Sequence, residues 1–353
     1  MSFLYFLEKL RNPVLDAFFS LITLFGEETV FMAVGMIVFW CVDKYKGYYL
    51  LFVGFLGTVI NQFLKMLFRI PRPWIKDPDF TIVESAREAA AGYSFPSGHT
   101  QTSAGLFGGI ARATRHTALR ISMLVLAALV ALSRMYLGVH TPADVLVSLG
   151  IAAALVLLGH PLFEKAKQSP KVMYAILFAF PVLMGLYLCF VYCFPFPENV
   201  DPHNLLSAQK NGYTLLGCAL GLVLTYTVDL KWTRFETKAV WWAQLIKAVG
   251  GILLVLAAKE LLRTPLDALF GGHLAARSVR YFLMVVVGGI LWPMTFRFFT
   301  ERSKQHEKNL SKQRGKPGNL SALDGQMPQG SGGDLPRHGG ASRPVSGPGG
   351  LFL

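Results

Sequence analysis

Three short polar clusters interrupt an otherwise apolar chain, and their residue types suit the chemistry of a phosphate group. Lys65 to Pro73 reads KMLFRIPRP, Pro96 to His99 reads PSGH, and Ser133 to Asp144 reads SRMYLGVHTPAD. All three fall at the ends of apolar runs, where a charge within a bilayer costs at least about 2.5 kcal/mol. The guanidinium groups of Arg72 and Arg134 and the ammonium of Lys65 can neutralise a phosphate and the charge of its transition state. The first amides of a helix beginning near Ser97 and Gly98 form an anion site. One histidine can attack phosphorus while another protonates the departing oxygen. Asp144, four residues after His140, can hold the imidazole's other nitrogen across a helix's first turn and so fix its tautomer.

Each cluster also has a structural reading. Lys65 and Arg72 can snorkel to an interface, Ser97 can cap a helix, and Thr141-Pro-Ala-Asp144 has the form of a capping box with Pro at the first helical position. These readings leave both histidines unexplained, and they do not say why Arg134 lies inside an aliphatic helix.

The elements that must carry these clusters are membrane helices. The 353 residues are 53% hydrophobic, and apolar runs long enough to cross a bilayer recur from end to end. The pattern predicts an all-α, polytopic bundle of about nine transmembrane helices over 28–42, 47–68, 98–112, 118–137, 141–159, 172–194, 212–229, 240–260 and 278–298. A formal net charge of +13 would suggest nucleic acid in a soluble chain. Here the cations sit mostly in short loops, so the charge reports topology, and no nucleic acid is expected. Alternate connections hold Lys44 and Lys46, then Arg112, Arg115 and Arg120, then Lys165, Lys167 and Lys171, then Lys231, Arg234 and Lys238, then Arg302 and Lys304. That side is expected to be cytoplasmic, which puts the three polar clusters, the N-terminus and the 69–97 connection outside.

The N-terminal MSFLYFLEKLRN has its charges after its apolar stretch, the reverse of a secretory signal, and reads as an interfacial amphipathic helix. Residues 301–353 turn polar and rich in Gly and Pro, and are expected to be a disordered cytoplasmic tail. Cys41, Cys189, Cys193 and Cys218 lie in apolar runs without metal-ligand spacing and read as small core residues.

Lys65, six residues, Arg72-Pro73, then Pro96-Ser97-Gly98-His99, then Ser133-Arg134, five residues, His140, three residues, Asp144: this order resembles the three-part motif of the type 2 phosphatidic acid phosphatase superfamily. That superfamily also contains bacterial undecaprenyl-pyrophosphate phosphatases, glucose-6-phosphatase and vanadium haloperoxidases. The resemblance implies that His140 is the nucleophile forming a phosphohistidine, that Asp144 orients it, and that His99 is the general acid. It further implies that Lys65, Arg72, Ser97, Gly98 and Arg134 bind the phosphoryl oxygens, with no metal and no cofactor.

The expected protein is a metal-independent membrane phosphatase with a family core over 1–195, three added helices over 196–300, and an extracytoplasmic site. Its substrate would be a membrane lipid phosphate or pyrophosphate: a polyprenyl pyrophosphate, phosphatidic acid or phosphatidylglycerophosphate. Phosphotransfer to another lipid or sugar, and a transporter that keeps a phosphate pocket, are the alternatives. Transporters place their sites near the midplane, whereas these charges cluster at one end. The connector 76–95 reads as a solvated link or as a lid working through Glu84, Arg87 or Tyr93, and Lys247 as a snorkelling cation.

Overall fold

The structure, a computed structural model, describes residues 1–298 apart from 91 and 199. The expected tail over 301–353 lies outside the described residues. The helices α1 (Ser2–Lys9) and α2 (Pro13–Thr23) form an N-terminal arm. There follow α3 (Glu28–Cys41), α4 (Lys44–Phe68), the single turn α5 (Pro73–Lys76), α6 (Gly98–Ala113), α7 (Thr117–Tyr136), α8 (Pro142–Gln168) and α9 (Pro170–Cys193). Then come α10 (Pro202–Val228), α11 (Trp241–Leu261), α12 (Arg263–Leu269), α13 (Ala275–Val286) and α14 (Trp292–Met294), and no strand occurs among the described residues. The fold is an all-helical, multi-pass membrane bundle.

Local chemistry sets where these helices start. The Asp43 carboxylate accepts from the amides of Tyr45 and Lys46 at 2.8 and 3.1 Å and opens α4. Ser97 caps α6, Thr141 and Asp144 form a full capping box on α8, and α8, α9 and α10 each carry Pro at the first turn. Arg69 ends α4 in the left-handed region with φ 50°, its amide bonded to the Lys65 carbonyl at 2.9 Å. That reversal turns the chain back toward the bundle, so Arg72 approaches the elements that carry the histidines.

Helix forms over every one of the nine expected spans, yet among the described residues six helices are long and apolar enough to cross a membrane. Pro13–Gly26 and Glu28–Cys41, bent by 51°, add a seventh if the pair makes one crossing. Nine crossings are therefore not confirmed. The departure has a physical cause in α6, which has only 16 residues and opens on GHTQTS. Thr100, Gln101, Thr102 and Ser103 on that helix are all buried inside the protein, so α6 is a polar pillar surrounded by other helices. The helices around it face lipid: Leu146, Leu157 and Leu158 on α8 and Phe178, Val182 and Leu186 on α9 each expose more than half their surface. Cys189 and Cys193 share this outward exposure, against the expectation that all four cysteines are core, and only Cys218 is buried.

The N-terminal arm ties the outer connector to the bundle. Arg11 donates to the carbonyls of Tyr136 and Thr81 at 3.1 and 2.9 Å, the Tyr136 hydroxyl donates to Asp16 at 2.7 Å, and the Val83 amide donates to the Leu137 carbonyl at 3.2 Å. The last helices join through the opposite side. Lys44 pairs with Asp229 at 2.7 Å, and the Trp40 indole donates to the Gly288 carbonyl at 2.8 Å.

Candidate active site

The chain reversal after α4, the first turn of α6 and the α7–α8 turn meet around a cavity of about 340 Å³. Six of the eight sequence-predicted site residues line it: Lys65, Arg72, Gly98, His99, Arg134 and His140. Ser97 and Asp144 stand behind them, both buried.

The imidazole of His140 has one orientation forced on it. Its Nε2 lies 2.9 Å from the Arg72 guanidinium, a group that can only donate, so Nε2 is the acceptor and the ring proton sits on Nδ1. Nε2 is thus unprotonated, and its one lone pair accepts the Arg72 N–H at the cavity wall. Nδ1 faces Asp144 Oδ2 at 3.5 Å, longer than a hydrogen bond. The same carboxylate oxygen accepts from the Ser94 hydroxyl at 2.6 Å and from the Thr141 amide at 2.7 Å. Burial, followed by the positive charges of Arg72, Arg134, Lys65 and His99, pushes the His140 imidazole well below its ordinary pKa. The ring is therefore neutral.

The cations are held by carbonyls. Arg72 also donates to Gly92 and Val139 carbonyls, each at 2.9 Å, and Lys65 donates to the Tyr93 carbonyl. Arg134 is fully buried, and its Nη1 donates to the Thr23 hydroxyl at 2.6 Å. Its Nε and Nη2, like Nε2 of His99, have no hydrogen-bond partner among the described residues. Two parallel N–H groups on a buried guanidinium facing a cavity are a fork for a tetrahedral oxyanion.

The Ser97 hydroxyl accepts from the amide and hydroxyl of Thr100 at 3.4 and 2.9 Å, and its carbonyl accepts from Ser148, so the side chain caps α6 while its own O–H is not used in these bonds. The first residues of α6, Gly98 and His99, line the cavity. His99 is braced from the other side by Gly26, where a Cβ would lie 2.9 Å from that of His99.

Sequence reasoning missed Thr23, Asn61, Ser94 and Gln101. Ser94 had a signal, since it adjoins the PSGH turn, but its partner lies 50 residues away. Glu84 and Arg87 pair with each other at the exposed surface at 2.7 Å, while Tyr93 contributes its carbonyl to Lys65. Lys247 is fully buried, and its ammonium reaches the loop before α11, donating to the carbonyls of Glu236 and Thr237 at 2.9 and 3.1 Å.

A multi-pass helical bundle with a histidine pair inside a cationic cavity is the architecture of a membrane phosphate-handling protein. The chain belongs to the PAP2 superfamily: residues 46–168 match the superfamily's domain, and residues 213–304 match the description "PAP2 superfamily phosphatase, transmembrane extension". It is 30% identical over 164 residues to a probable sphingosine-1-phosphate phosphatase of Dictyostelium discoideum, covering 43% of this chain and 39% of that one. It is 26% identical over 242 residues to lipid phosphate phosphatase delta of Arabidopsis thaliana, covering 63% and 55%. With undecaprenyl-diphosphatase BcrC of Bacillus subtilis it shares 29% identity over 146 residues, covering 40% and 72%. The chain thus spans about half the length, or less, of the first two relatives. No solved structure gives a significant match.

Proposed function

We propose that this protein is a membrane phosphatase that hydrolyses a lipid phosphate or pyrophosphate through a phosphohistidine. The observation that carries the reading is the pairing of the Arg72 guanidinium with His140 Nε2 at 2.9 Å inside a cavity that Lys65, Arg134 and His99 also line. His140 Nε2 attacks phosphorus as the P–O ester bond breaks, and His99, which takes up a proton once the bound phosphate offsets the cations around it, gives that proton to the departing oxygen. Neutral His99 then takes a proton from water, whose oxygen attacks phosphorus and breaks the P–N bond, releasing phosphate. Lys65, Arg72, Arg134 and the Gly98 amide hold the phosphoryl oxygens, while Ser97 acts as the cap that aims that amide. Asp144, fixed by Ser94 and Thr141, keeps the Nδ1 proton facing it as positive charge develops on the ring. In this reading the core over 1–195 carries the chemistry and the helices over 196–300 are an added scaffold. The relatives' printed names support the class of activity.

Purified protein should release phosphate from at least one of polyprenyl pyrophosphate, phosphatidic acid and phosphatidylglycerophosphate in preference to a soluble phosphomonoester. Release should persist in a chelator, because the Lys and Arg cluster supplies the charge that metals give other phosphatases. Orthovanadate should inhibit it by adopting the transition state's trigonal-bipyramidal geometry. Loss of activity in chelator that a divalent ion restores would contradict the cationic-cluster mechanism, and no release from any substrate would end the phosphatase reading.

The loop cations support an extracytoplasmic site and a cytoplasmic C-terminus. In a cysteine-free background, a cysteine introduced near Asn204 should react with an impermeant thiol reagent on intact cells, and one near Lys167 should not. The reverse pattern would invert the topology and move the site to the cytoplasmic face.

A further inference from the structure

The cationic groups account for one part of the cavity, and a second part has no use in phosphate chemistry. Asn61 on α4 and Gln101 on α6 both line the cavity and are each only 2% exposed. Asn61 Nδ2 and both polar atoms of Gln101 have no hydrogen-bond partner among the described residues. A buried amide left unpaired costs about 1–3 kcal/mol per group, so two such side chains facing one cavity call for a ligand that pairs with them. Both line the cavity that His99 also lines. The position of a Cβ on Gly98 would lie 3.9 Å from Asn61 Oδ1. Gly57 on α4 leaves the room that the Gln101 amide occupies, because a Cβ there would come within 2.7 Å of Gln101 Nε2. Glu27 and Glu28 line the same cavity, directly after the Gly26 that braces His99.

In the proposed reaction the His99 end receives the leaving group, since that residue protonates the departing oxygen. Amides that offer both donors and acceptors match a group that can also do both.

Resting on the phosphatase reading, we propose that Asn61 and Gln101 form a leaving-group subsite that binds a hydroxyl group on the carbon next to the phosphorylated carbon. The preferred substrates are then long-chain phosphate monoesters bearing that vicinal hydroxyl, and esters of a plain hydrocarbon alcohol are poorer. A site built to hydrogen-bond a hydroxyl discriminates strongly against the analogue lacking it, because its own polar groups are left unpaired.

Two esters matched in length test this: hexadecyl phosphate and 2-hydroxyhexadecyl phosphate, compared by kcat/KM for phosphate release in the same detergent. The wild-type protein should favour the hydroxylated ester by about tenfold or more, as one net hydrogen bond of about 1.4 kcal/mol requires. Asn61→Leu and Gln101→Leu, close in volume, should each bring that ratio toward one. The ratio cancels any general loss of folded enzyme. A wild-type ratio near one, or a ratio unchanged in both variants, would overturn the subsite while leaving the hydrolase intact. No release from either ester would remove the phosphatase reading and the subsite together.

Discussion

Replacing His140 with Ala is expected to abolish turnover of every substrate, with a loss of several orders of magnitude, because no phosphoenzyme can form. Replacing His99 with Ala should cost about 10²- to 10⁴-fold on an alkyl ester, the usual contribution of a positioned acid. The two losses differ in kind. An alkoxide must be protonated as it leaves, whereas p-nitrophenolate departs without help. p-Nitrophenyl phosphate should therefore recover a good part of the activity of His99→Ala and none of that of His140→Ala. The geometry gives the two rings this asymmetry. His140 presents an unprotonated Nε2 to the cations, while Nε2 of His99 has no partner among the described residues and is free to exchange a proton with the leaving group. Equal rescue of both variants, or rescue of His140→Ala alone, measured as initial rates of phosphate release, would show that nucleophile and acid have been assigned wrongly.

Arg134→Leu is expected to lower kcat/KM by about 10²- to 10⁴-fold, since a charged hydrogen bond contributes about 1.5–3 kcal/mol and two N–H groups are lost at once. The same change should raise the melting temperature of the ligand-free protein. Arg134 is fully buried, its one bond among the described residues goes to a neutral hydroxyl, and an uncompensated charge in that position opposes folding. Arg134→Lys should keep the charge, lose the fork, and fall between the two in activity. Orthovanadate closes the cycle: at about 100 times its Kd it should stabilise the wild type by about 2.7 kcal/mol and leave Arg134→Leu where it was. A Leu variant that melts lower than wild type and still responds to vanadate would make Arg134 a structural residue.

Much of the bundle was legible because its signals are local. Apolar runs, Asp43, Thr141 and the helix-opening prolines mark α4, α7, α9 and the start of α8 within a few residues, while α8 runs on to Gln168, past its expected end at 159. The approach of the three polar clusters was legible too, since charges at the ends of membrane helices have few places to go. The crossing count was less so. Hydropathy alone treats α6 as a weak span, whereas its polar residues are enclosed by other helices, and that depends on neighbours the sequence does not pair. Thr23 and Ser94 escaped for the same reason, as their partners lie 111 and 50 residues away. Asn61 and Gln101 escaped because an amide inside an apolar run reads as an ordinary helix residue until the cavity beside it is seen.

The closeness of Gly26 to His99 sets a limit on how this chain can vary. Alanine, the smallest step away from glycine, adds one carbon, and that carbon would already meet the His99 Cβ at 2.9 Å and the Val130 side chain at the same distance. A residue far from the three polar clusters in the chain, with no polar side chain to contribute, is thereby held as narrowly as the histidine it supports. Mutational tolerance at this site follows steric room, and the least tolerant neighbour of the acid is the one with the least chemistry.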